Sequence, residues 1–257
     1  MRGLALALRQ VRYENAAFWR NPVSAFFTMA FPLMFLVIFN LLFGSSELDV
    51  EGGTVSVSTF YVPSITVLGV IGACYTNIAI GVCFSRDGGL LKRVRGTPLP
   101  GWALLFGKVG HAVLLALLLV AIILAAGVLF YGVDVPSNTL PAFLVTLAVG
   151  AAAFCALGLA ITAVIPNADA SPAVVNASIL PLLFISDVFI PLRDAPAWLT
   201  TFADVFPVSH FAGAMHSAFN PFETGSGFEL FDLAALAAWG VAGLLLAARF
   251  FRWEPRA

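Results

Sequence analysis

The chain has 257 residues, of which 60% are hydrophobic and 11% charged, with a formal net charge of −1. A soluble domain is about 45–50% apolar and roughly 25% charged, and a mean hydropathy of +0.97 leaves too few polar side chains to cover a surface facing water. Water-soluble enzymes and nucleic-acid binders are thereby excluded, and an all-α integral membrane protein is expected, because a helix satisfies its own backbone in lipid.

In chain order, residues 1–22 form the first element. At about 100° per residue, Leu4, Leu8, Val11 and Phe18 share one face while Arg2, Arg9 and Arg20 lie nearly opposite. That is the pattern of an amphipathic helix lying along a leaflet, its arginines among anionic head groups. The apolar run 4–8 is shorter than the roughly 7–15 residues of a leader's apolar core, so no cleavable leader is expected. Asn21-Pro22 offers a break before the first span.

Stretches that meet the ~20-residue requirement for crossing a bilayer follow at 23–43, 60–84, 112–131, 140–165 and 172–192. A sixth covers 233–248 and reaches 251 if Arg249 snorkels. The fifth is the weakest, since it holds Pro172, Pro181, Pro191 and Asp187. Segment 205–222 is apolar too, but His210, His216, Asn220 and its prolines are costly in lipid, so it reads as short helices at the outer face. The expectation is one membrane domain, 1–257, with six spans: 23–192 carries the first five, 193–230 is the outer-face segment, and 231–257 is the sixth span with its tail.

The few charges are strongly sorted. Arg2, Arg9, Arg12 and Arg20 precede the first span; Arg86, Lys92, Arg93, Arg95 and Lys108 lie between the second and third; Arg249, Arg252 and Arg256 follow the sixth. These are twelve of the thirteen Lys and Arg, leaving Arg193 opposite. Glu47, Asp49, Glu51, Asp134, Asp194, Asp204, Glu223 and Glu229 gather on the other side. Basic loops remain in the cytosol, so both termini are expected to be cytoplasmic. Cys74, Cys83 and Cys155 lie in apolar stretches without a CxxC pair and read as inert buried thiols.

Gly101–Lys108 superficially suggests a phosphate loop, but five residues separate the glycines and Val109 replaces the hydroxyl. The GxxxxGK[ST] geometry therefore fails, and any ATP dependence must come from a partner. Residues 85–100, SRDGGLLKRVRGTPLP, are more informative. Leu90, Leu91 and Val94 form an apolar stripe on a short helix ringed by Arg86, Lys92, Arg93 and Arg95, with Asp87 near its start and Gly96-Thr97-Pro98 at its stop. Such a helix suits a groove on another protein; the plainer alternative is a positive-inside loop.

This stretch resembles the cytoplasmic loop of the type-two ABC export permeases, the family of the daunorubicin-resistance permease, whose members read approximately S-R-E-x-G-T-L-x-R-L-R-x-T-P-L. Ser85, Arg86, Arg93, Arg95, Thr97, Pro98 and Leu99 fit, while Asp87 replaces Glu. Phe189-Ile190-Pro191-Leu192, Pro196-Ala197-Trp198-Leu199 and Phe206-Pro207-Val208-Ser209-His210 are similar to the family's outer-face signature. Asp187 stands where Gly is usual, and His216 where Arg or Gln is frequent. The resemblance implies a permease that binds no cofactor itself. It would work with two copies of an ABC ATPase subunit carrying ATP and Mg, and with a second permease copy or paralogue. Its coupling helix would comprise Arg86, Asp87, Leu90, Leu91, Lys92, Arg93, Val94 and Arg95. Cargo would be a hydrophobic drug, a lipid, or a lipid-linked or polysaccharide substrate.

Asp187, Asn77 and Asn176 sit at membrane depth, where polar groups are functional suspects for a pathway or gate and equally serve as helix–helix bonds. His111, three residues after Lys108, reads as the head-group level. His210 and His216 are six apart and share no helix face, so no metal site is expected. The small-residue runs 150–158 and 240–243 permit close helix packing. A secondary transporter or channel is the alternative, though no inverted repeat is visible. An intramembrane enzyme is disfavoured, because no catalytic side chains converge.

Overall fold

The computed structural model describes residues 2–44, 46–50, 52–135, 137–190 and 195–254. Of the charges used above, Glu51, Arg193, Asp194 and Arg256 lie outside these residues, as do Pro191 and Leu192; at Arg2, Asp49 and Arg95 the backbone alone is described.

Helices α1 (Arg2–Trp19) and α2 (Pro22–Phe43) meet at Asn21, whose side chain accepts from the Ser24 N–H at 3.2 Å and caps α2. A hairpin follows, β1 (Glu47–Val50) antiparallel to β2 (Gly53–Ser56), turning at Gly52 with φ 97°. Next comes a continuous rod of α3 (Val57–Ile71), a π-helical turn (Gly72–Thr76) and α4 (Asn77–Asp87). The short α5 (Leu90–Arg95) leads into α6 (Gly101–Tyr131), α7 (Leu140–Ile161) and α8 (Ser171–Phe184). Two short helices, α9 (Ala197–Ala203) and α10 (Pro207–Phe219), precede α11 (Leu230–Phe250).

Five helices among the described residues are long and apolar enough to cross a membrane: Pro22–Phe43, Val57–Asp87, Gly101–Tyr131, Leu140–Ile161 and Leu230–Phe250. The chain is thus a predominantly helical integral membrane protein. The expected fifth span is shorter than the sequence suggests. Its helix ends at Phe184 after 14 residues, about 21 Å at 1.5 Å per residue, against a hydrocarbon core of ~30 Å. Beyond it the backbone turns, and Asp187 takes a left-handed φ of 61°. The hairpin is a second departure from the all-helical expectation; Leu48 and Val55 are paired across it.

The rod 57–87 is the centre of the molecule. From Val57 to Ile71 nearly every side chain is buried, whichever way it points, so this helix is covered on every side. By contrast α2 buries only Ala25, Pro32, Leu36 and Asn40, and α11 only Leu236, Gly243 and Ala247, leaving long apolar faces outward. In lipid, close packing replaces the hydrophobic drive, and glycine provides the approach. A Cβ on Gly240 would lie 3.1 Å from the Ala153 Cα, and one on Gly243 3.0 Å from the Leu157 N, where α11 crosses α7. Gly158 lets α7 reach the π turn, where a Cβ would lie 2.8 Å from the Tyr75 O. The Tyr75 hydroxyl and Ser178 Oγ, 2.7 Å apart, tie the same turn to α8. All three cysteines are buried and unbridged.

Helix α1 packs on α6 by the flank of its apolar face. Ala7 is fully buried, Gly107 and Gly110 of α6 receive Gln10 and Val11, and Phe18 lies 5.2 Å from His111. Leu4 and Leu8 are left exposed. This cover explains why α6 begins at Gly101, well before the expected 112: Lys108 is shielded by α1 and paired with Glu14 at 3.2 Å.

Candidate functional site

The loop 85–100 is built by local stop signals. Gly89, at φ 72°, allows the left-handed turn between α4 and α5. Thr97 closes α5, its hydroxyl donating to the Val94 carbonyl at 2.7 Å and accepting from the Leu99 N–H at 3.3 Å. Pro98 and Pro100 then bar further helix until Gly101.

Within this loop the structure sorts the expected coupling residues into two groups. Arg86 is 1% exposed. Its guanidinium donates to the carbonyls of Thr162 at 3.1 Å, Ile165 at 3.0 Å and Pro166 at 3.4 Å, and its Nε to Asp87 Oδ1 at 3.2 Å. Asp87 Oδ2 in turn accepts the Ala168 N–H at 2.6 Å. Asp87 therefore belongs to the end of α4 and to the α7–α8 connection, and the N-cap position of α5 is Gly89. Leu91 corrects the expected apolar stripe: it is fully buried in the main core, with Val94 partly buried beside it. The outward edge is Leu90, 45% exposed, with Lys92, Arg93 and then Gly96, Thr97 and Pro98. Docking of α5 against its own protein turns Leu91 inward and leaves Leu90, about 100° round the helix, half exposed. An immediate consequence is that Leu91→Asp should behave as a folding defect: a lone carboxylate among apolar neighbours costs several kcal/mol. A fall in monodisperse protein recovered in detergent checks it.

The three polar residues singled out for a pathway are not brought together. Asp187 lines a cavity of about 320 Å³ at the end opposite α5, with His216, Glu223, Glu229 and Asp232. There His216 Nε2 lies 3.1 Å from Ser64 Oγ and 3.3 Å from the Asp187 carbonyl, its ring stacked on Phe60 at 4.4 Å. His210 is held by one of the same lining residues, its Nδ1 2.8 Å from Asp232 Oδ1. Asn176 lines a lateral, mainly apolar cavity of about 410 Å³ between α2, the π turn and α8. Asn77 lines a third, of about 200 Å³, near α1.

Several elements escaped sequence reasoning. The π turn lies on the wall of the lateral cavity, and a Cβ on Gly72 would meet nothing within 4 Å. Such turns recur at functional sites, and the spacing Gly69, Gly72 was the available signal. Glu14–Lys108 spans 94 positions and left no local trace. Of the outer-face signature, the Phe189 carbonyl accepts from the Tyr61 hydroxyl at 3.2 Å, Pro196 precedes α9, and Pro207 opens α10, whose Val208, Phe211, Ala212 and Met215 are buried.

Comparison with known proteins follows the same outline. The family model described as "ABC-2 type transporter" matches residues 7–220. The chain is 29% identical over 210 residues to the daunorubicin resistance ABC transporter permease protein DrrB1 of Streptomyces coeruleorubidus, covering 77% of this chain and 69% of that protein. It is 26% identical over 194 residues to the putative transport permease ycf38 of Porphyra purpurea, covering 75% and 66%. With the probable multidrug ABC transporter permease YbhR of Escherichia coli it shares 26% over 153 residues, 59% of this chain and 41% of that protein. The chain thus spans about two-thirds of the length of the first two and less than half of the third.

Proposed function

We propose, from the premise that this chain belongs to the ABC-2 type transporter family, that it is the membrane permease of an ATP-driven exporter whose ATP is hydrolysed on a separate subunit. In this reading the membrane is crossed six times, by α2, the rod 57–87, α6, α7, α8 with the turns that extend it, and α11. In the same reading α1, α5 and both termini lie at the cytosolic face of a bacterial plasma membrane, an orientation supported by the sorting of the basic residues. Two ABC ATPase subunits, carrying ATP and Mg, and a second permease copy or paralogue complete the transporter.

The observation that carries this reading is the exposed Leu90–Lys92–Arg93 edge on a loop clamped by Arg86 and Asp87. An apolar anchor rimmed by cations fits a cleft on a partner. The clamp joins α4 and α5 to the α7–α8 connection, so a push on α5 is transmitted to the central rod and to two further helices together. The lateral cavity supports a hydrophobic drug or lipid as cargo: about 410 Å³ lies within the range of drug-sized pockets, and one relative is named for daunorubicin resistance.

The test is co-expression with an adjacent ATP-binding-cassette subunit. Leu90→Asp with Arg93→Glu should cut the co-purified ATPase by about tenfold or more, the loss expected for an interface anchor worth over 1.4 kcal/mol, while the permease elutes unchanged. Undiminished ATPase would contradict the assignment.

A further inference from the structure

The cavity beside α1 is built differently from the other two. It occupies about 200 Å³ between α1, the start of α2, α4 and α6, and its polar lining is Glu14, Asn21, Ser24, Asn77, Lys108 and His111. Lys108 and Glu14 form a 3.2 Å ion pair with side chains 9% and 19% exposed. His111 is 6% exposed, and its buried Nδ1 has no hydrogen-bond partner among the described residues. An orphaned buried ring nitrogen is costly, and here it belongs to a residue lining an open cavity. The wall is also set back at Gly81, where a Cβ would meet nothing within 4 Å.

The charges select the ligand. With one ammonium, one carboxylate and several uncharged hydrogen-bonding groups, the cavity is electrically balanced. A simple anion would bring a charge that Lys108, already paired with Glu14, does not neutralise. A ligand with its own phosphate and ammonium matches both: the phosphate faces Lys108, Ser24 and His111, and the ammonium faces Glu14. The position agrees. The cavity is roofed by an amphipathic helix with Arg9, Arg12 and Trp19 exposed, which marks head-group depth. From Ser24 the same face of α2 rises through Phe27 and Phe31, and from Asn77 the rod rises to Ala73. Phe27, Phe31 and Ala73 line the lateral apolar cavity, so a polar chamber lies at the foot of an apolar groove.

We propose that this cavity binds the phosphate–ammonium head group of a phosphatidylethanolamine-type lipid, with an acyl chain along the α2 groove. The inference needs only that the chain lies in a bilayer, and holds whether or not a lipid is the cargo.

The full-length permease, purified in detergent, would be given equimolar phosphatidylethanolamine and phosphatidylglycerol with identical acyl chains, and bound lipid read by native mass spectrometry. The expected result is an excess of about tenfold for the ethanolamine lipid. Gly81→Leu, which fills the set-back wall without touching the ion pair, should abolish that excess while leaving elution and thermal stability unchanged. Glu14→Gln, which removes the ammonium's partner, should move the preference toward phosphatidylglycerol, a reversal that a purely structural Glu14 would not produce. Equal binding of the two lipids by the unaltered protein, or an undiminished excess in Gly81→Leu, overturns the proposal. Soluble O-phosphoethanolamine that displaces the lipid at equal concentration also overturns it, by assigning the site to a free ligand. If Glu14→Gln does not fold, the Gly81→Leu arm decides.

Discussion

Replacing Arg86 by alanine is expected to remove about 3–5 kcal/mol of stability, the usual cost of leaving a buried charge network without one partner. That is a large share of the ~5–15 kcal/mol that holds a typical domain together. The guanidinium is the hydrogen-bond donor to three carbonyls in the α7–α8 connection and holds Asp87 in place for the Ala168 N–H. Lysine should recover only part of the loss, because a single ammonium cannot reproduce a planar fork spanning separate acceptors. The readout separates two roles. An arginine that only contacted a partner would leave the isolated permease as stable as before; the clamp predicts a lower melting temperature and poor recovery in detergent before any partner is added.

Gly158→Ala should also destabilise the chain, by about 1–3 kcal/mol as an overpacked contact, although alanine in a helix interior ordinarily gains ~0.5–1 kcal/mol over glycine. The sign is decided by what the methyl meets. It would lie 2.8 Å from the Tyr75 carbonyl oxygen, 3.0 Å from that of Cys74 and 3.1 Å from the Tyr75 Cα. All three are backbone atoms of the π turn and cannot rotate away. Gly72→Ala is the matched control: it lies in the same turn, its added methyl meets nothing within 4 Å, and it should leave the melting temperature unchanged or raise it. A melting temperature for Gly158→Ala at or above that of the unaltered protein would show that α7 does not rest on the turn.

Legibility in the sequence followed the range of the interaction. Long apolar stretches announced α2, the central rod, α6, α7 and α11, because crossing a bilayer imposes length and composition locally. The glycines at 150–158 and 240–243 likewise announced close packing, and Gly96-Thr97-Pro98 announced the end of α5. The prolines and Asp187 in 172–192 marked the weak fifth span, and the structure shortens its helix to Ser171–Phe184. What local pattern could not supply was direction. Leu90 and Leu91 are equally apolar, and only docking of α5 against its own core decides which of them faces out. Arg86 read as one cation in a basic loop because its partners, Thr162 to Pro166, are some eighty positions away and offer only carbonyls. The π turn carries one extra residue whose place depends on α7 and α8, and the Glu14–Lys108 pair depends on α1 folding back over α6. Asn77, Asn176 and Asp187 looked alike as polar residues in apolar segments, yet they line three separate cavities.

The proposed drive of this permease through the outward edge of α5 is tested most directly by site-specific photo-crosslinking. A benzophenone side chain would be placed singly at positions 90, 91 and 93 of the permease co-expressed with the proposed ATPase partner. Positions 90 and 93 should give an adduct of permease plus ATPase, whereas position 91, buried in the core, should give none. An ATPase adduct from position 91, or none from 90 and 93 in a complex that still co-purifies, would contradict the account.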